Sequence, residues 1–122
     1  MIKKSTLLTL YLLFAGAFLG LAQTSDALHR IERGIALYDF GHWSEARSEL
    51  LTARKRLSTV KDRFTIERID YYVALCDVEL KRREVESRLR KFIIDYPGSG
   101  YSNELQFALG IHYCIDGDFA KA

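Results

Sequence analysis

The stretch GIALYDFGHWSEA at residues 34–46 returns as GIHYCIDGDFAKA at residues 110–122. Gly34, Leu37, Gly41, Trp43 and Ala46 fall on Gly110, Tyr113, Gly117, Phe119 and Ala122, each pair keeping its chemical character. A self-match at one fixed offset is the mark of a repeat architecture. The step from Gly34 to Gly110 is too long for one pair of helices and fits two units of roughly 38 residues, so an intermediate unit is expected between the matched ones. Tyr72, Val73, Cys76, Leu80, Val85, Leu89 and Phe92, closed by Pro97, supply it, with larger apolar residues in place of the small ones.

Outward from these strings the apolar residues keep helical spacing, and no stretch alternates as a strand does. Helices are expected over 26–40, 43–59, 63–81, 84–96 and 101–115, with another beginning near 118. The short connections make successive helices antiparallel neighbours. Gly41 and Gly117 suit the left-handed residue that ends a helix. Gly34 and Gly110 lie inside helices, where glycine costs about 1 kcal/mol against alanine, so close approach of a partner helix is their expected reason.

A small residue within a first helix, an aromatic three later, glycine at the turn and alanines in a second helix resemble the tetratricopeptide repeat. In the first unit those roles fall to Gly34, Leu37 and Gly41, with Ala46, Leu50 and Ala53 on the second helix. Leu37 departs from the usual aromatic, and Tyr38 beside it supplies one. In the third unit they fall to Gly110, Tyr113 and Gly117. The resemblance implies an all-α solenoid of about two and a half helix-turn-helix units, near 27–60, 66–99 and 103–122, and a chain that continues past Ala122. Phe92, Tyr96, Pro97 and Ser99 also resemble the joint between units in exported bacterial envelope proteins of this family, with Ser102 or Asn103 expected to cap the next helix.

The resemblance further implies a protein or peptide partner held on an inner surface lined by the first helix of each unit. By position, unit one contributes Leu28, Ile31, Ile35, Tyr38 and Asp39, and unit two Glu67, Asp70, Ala74, Asp77 and Val78. Unit three contributes Glu104, Phe107, Ile111, Cys114 and Ile115. The expected groove has apolar ends and an acidic middle.

Met1 to Lys4 are basic at the start, and Thr6 to Ala22 run apolar without a charge. Gly20 and Ala22 then give the small-x-small pattern of signal-peptidase cleavage, so residues 1–22 are expected to be a signal peptide and 23–122 a periplasmic or secreted domain. No cysteine stands where a lipoprotein would need one. The chain carries 18 Lys and Arg against 16 Asp and Glu, but Lys3 and Lys4 belong to the leader, so the charges balance from Gln23 on. A neutral domain has no field to draw in nucleic acid. Lys81, Arg82, Arg83, Arg88, Arg90 and Lys91 form locally basic helix faces, interleaved with Glu79, Glu84 and Glu86, whose one suited use beyond solvation is peripheral contact with an anionic envelope surface.

No catalytic, metal or cofactor constellation emerges. His29, His42 and His112 are scattered, and His112 and Cys114 lie two apart on a helix, pointing in different directions. Asp116, Gly117 and Asp118 lack the spacing of a calcium loop. Cys76 and Cys114 sit in separate helices and are expected as free thiols. The function expected is a non-catalytic scaffold of the bacterial cell envelope, the alternative being the N-terminal structural module of a larger protein whose activity lies beyond residue 122.

Overall fold

A computed structural model describes residues 3–57, 63–115 and 117, and for 16–24 the backbone alone. The regular elements among the described residues are all helices: α1 (Lys4–Asp39), α2 (Trp43–Leu57), α3 (Arg63–Glu79), α4 (Val85–Asp95) and α5 (Tyr101–Ile115). The first helix starts at Lys4, far ahead of the Asp26 where its amphipathic spacing begins. The apolar run between them is rich in leucine and alanine and free of proline, so nothing in it stops a helix. Leu10, Leu13 and Phe14 of that run are all exposed, Phe14 at 78%. Among the described residues no helix is long and apolar enough to cross a membrane. The helix expected near 118, with Phe119 and Ala122, lies outside the described residues.

Each helix touches its neighbours in chain order, and the first, third and fifth also touch in sequence, with no contact between α1 and α4 or α5 among the described residues. The interior follows suit as a row of clusters. Ala27, Ile31, Leu50, Ala53, Ile69 and Val73 join α1, α2 and α3. Ala74, Leu75, Phe92, Tyr96 and Leu105 join α3 to α4 and α5, and Val78, Val85 and Leu109 close the far end. Helix α3, held on several sides, buries every residue from Val73 to Val78.

The turns after α1 and α3 are built alike. Gly41 N–H donates to Tyr38 O and His42 N–H to Leu37 O; Lys81 N–H donates to Val78 O and Arg82 N–H to Asp77 O. This pair of bonds is the Schellman ending, which needs a left-handed residue at its centre. Gly41 has φ 83° and Lys81 has φ 54°. After α5, Gly117 at φ 79° repeats the first bond, donating to Cys114 O. Lys81 therefore stands in glycine's place, at a cost of about 1 kcal/mol for its side chain. Measured back from the left-handed residue of each turn, Gly34, Ala74 and Gly110 hold the same position.

Gly34 shows why that position stays small. A Cβ there would lie 2.8 Å from Leu50 Cγ and 3.3 Å from the carbonyl oxygen of Ala46, both on α2. The expected close approach of the two helices is present.

Candidate functional site

The turn at Lys81 decides which residues of the middle unit share a face with those of the first. Sequence spacing aligns Asp77 with Tyr38, whereas the turns align Val78 with Tyr38, one position further along. One residue on a helix is a rotation of about 100°, enough to carry a side chain from the open face to a buried one. Asp77 is in register with Leu37 and is fully buried. Arg47 of α2 donates from Nε to its Oδ1 at 2.7 Å, Arg88 of α4 pairs with its Oδ2, and Arg82 of the turn stands 3.4 Å away. A carboxylate can be interior only with such company. Asp70, in register with Arg30, likewise turns toward the second helices. It accepts from Arg54 Nε at 2.6 Å and from the Tyr96 hydroxyl at 2.7 Å. Ile31, Ala74 and Val78 are also interior. The expected acidic middle of the groove is thus a set of struts between helices.

What remains open is the face formed by α1, α3 and α5. Leu28, Asp39, Glu104, Phe107, Ile111, Cys114 and Ile115 are exposed or partly so, and Ile35, Tyr38 and Glu67 half-buried. In the corrected register α3 presents Arg68, Tyr72 and Glu79 beside Leu28, Glu32 and Asp39. A tyrosine run crosses the helices here. Tyr38 meets Tyr72 edge-on at 5.7 Å, Tyr72 meets Tyr71 at 5.0 Å, and Tyr71 stacks on Tyr101 at 4.2 Å. Burial, then the Glu79 carboxylate, pushes the Tyr38 hydroxyl up to about 12, and burial likewise raises Tyr71 and Tyr72. All three stay neutral near pH 7, so the run offers rings and hydroxyls rather than charge.

At the lower end of this face an open cleft of about 800 Å³ lies between α1, the start of α3 and the α4–α5 joint. Its apolar lining includes Leu28, Ile31, Phe64, Pro97 and Tyr101, and Glu32, Glu67 and Arg68 mark its polar edge. Phe64 is 83% exposed, which is unusual for so large an apolar ring. The joint is fastened by Ser99. Its hydroxyl donates to Glu67 on α3, and its oxygen accepts Tyr101 N–H at 3.2 Å, so it starts α5 in place of the expected Ser102 or Asn103. The turn through Pro97 and Gly98 delivers Ser99 to that spot ahead of either candidate. Phe64 and Tyr101 escape the sequence reading because the cleft forms between elements that are not consecutive.

The two thiols differ. Cys76 is buried, and burial first, then Asp77, raises its pKa to about 12; Cys114 is exposed. Both are free. Among the described residues no three His, Cys, Asp or Glu side chains gather as metal ligands. An all-helical body with an open aromatic face is the class of protein that fold and site define. Set against protein-family models, curated proteins and solved structures, the chain matches none.

Proposed function

We propose that the chain is an exported scaffold of tetratricopeptide type that holds a segment of a partner protein along the inner face of α1, α3 and α5. The observation that carries the binding reading is the open apolar cleft, with Leu28 and Phe64 exposed at its mouth. Apolar concavities of this size with a few polar groups at the edge are the usual form of a recognition site. The like endings of α1 and α3, the part-match at Gly117 and the neighbour-only contacts of the helices favour the repeat reading. Export is supported by the apolar, exposed start of α1 behind Lys3 and Lys4.

The binding half is tested with the full chain as bait for a random dodecapeptide library displayed on phage. Selected peptides are expected, and Leu28→Ser with Phe64→Ser should weaken them at least tenfold. Selection of nothing, or binding indifferent to both changes, counts against the groove. For export, residues 1–40 fused ahead of an alkaline phosphatase that is active only outside the cytoplasm should give activity in a bacterial host. Replacing Leu10 and Leu13 by arginine should abolish it; a fusion silent from the outset overturns that half.

A further inference from the structure

The open face has a polarity that names its ligand more closely, if it binds a segment as proposed above. Asp39 and Glu79 are in register, and each is the last residue of its helix, α1 and α3. A helix C-terminus carries a partial negative charge, and cations are the residues normally placed there. Neither helix has a basic residue in its last turn. Neither carboxylate pairs with a cation among the described residues, while Glu67 and Glu104 of the same face are bonded to Ser99 and Tyr71 and Glu32 lies at the cleft. Both carboxylates act on Tyr38, whereas on Tyr72 the Arg68 cation acts before Asp39, so the acidic upper end of the face centres on Tyr38. The lower end is the apolar cleft. At the cleft's edge Glu32 and Glu67 stand against Arg63 and Arg68, two charges of each sign.

We infer that the ligand is an extended segment with a large apolar residue in the cleft at Leu28 and Phe64 and a lysine or arginine at Tyr38, between Asp39 and Glu79. Charge complementarity selects the cation, and the Tyr38 ring adds cation–π attraction. An extended strand reaches from the cleft to the carboxylates with fewer ordered residues than a helix would need, and so at a lower entropic cost. The helix from Leu28 to Asp39 is about 16 Å long at roughly 1.5 Å per residue. An extended chain covers that in about five residues at roughly 3.3 Å each.

The same dodecapeptide selection reads this directly. Selected sequences should carry Lys or Arg four to six positions from Leu, Met or an aromatic. Fluorescein-labelled copies should bind the full chain at least tenfold more weakly after Asp39→Asn with Glu79→Gln, and more weakly as salt rises. The thermal midpoint of that double variant should hold or rise, since it removes acids from helix C-termini. Peptides without a basic residue, or unaffected by the double variant, overturn the inference. If they still respond to Leu28→Ser with Phe64→Ser, the groove stands and only its assigned ligand falls. If they respond to neither pair, or no peptide is selected, both fail.

Discussion

Alanine at Gly34 is expected to lower stability by about 2 kcal/mol, and alanine at Gly110 to raise it by about 1 kcal/mol. The two glycines occupy one position of the internal match, so composition and helix propensity predict the same effect at both. Their surroundings differ. At Gly34 the new methyl would meet the branch carbon of Leu50 at 2.8 Å, and Leu50 is fully buried and has nowhere to retreat. Overpacking of that kind outweighs the propensity gain. At Gly110 nothing among the described residues comes within 4 Å, so within them only the propensity gain acts. Urea melts of the two variants beside the parent decide it, and a Gly34 variant as stable as the parent or more so would contradict the close approach of α1 and α2.

Removing the Asp77 carboxylate with Asp77→Ala should cost about 3 kcal/mol, the lower end of what breaking a buried pair costs. One group ties α2, the turn and α4 to α3, and its loss leaves Arg47 and Arg88 facing each other across its site. Their side chains are 20% and 36% exposed, so water recovers part of the loss. Arg82→Ala is the control. It is 41% exposed and stands 3.4 Å from the carboxylate, in the regime where such pairs contribute under about 1 kcal/mol. Thermal melts should show Asp77→Ala lowered by about 10 to 20 °C and Arg82→Ala by a few degrees. Equal effects would show that Asp77 is no more than a surface acid.

Asp77 also marks where the sequence is legible and where it is not. The helices and their turns are readable because Gly34, Gly41 and Gly117 declare close approach and left-handed ends, and because apolar residues recur at helical spacing. The start of α1 is hidden, since an apolar run stops a helix no more than an amphipathic one does. In the middle unit the glycine at the turn is a lysine, Lys81, so the marker that fixes register is absent and spacing alone sets the unit one position short. Such an error looks minor along the chain and is large around the helix. It places Asp70 and Asp77 in a groove, when their partners are Arg54 and Arg47, 16 and 30 residues away. Nothing local in sequence marks such pairs. Leu28, Asp39, Phe107 and Ile111 stand in the open, as the spacing of the outer helices implies, because there the glycines are present. The cleft's far wall, Phe64 and the Pro97 to Tyr101 joint, depends on contacts between α3 and the turn before α5.

Where a bound segment lies is the question on which the proposed groove rests. Amide chemical-shift mapping of the full chain with a selected peptide locates it directly. Shifts should concentrate at Leu28, Ile35, Arg68, Tyr72 and Tyr101, on the face shared by α1, α3 and α5. Shifts confined to Arg54, Arg88 and Lys91, which line a separate cleft between α2 and α4, would contradict it.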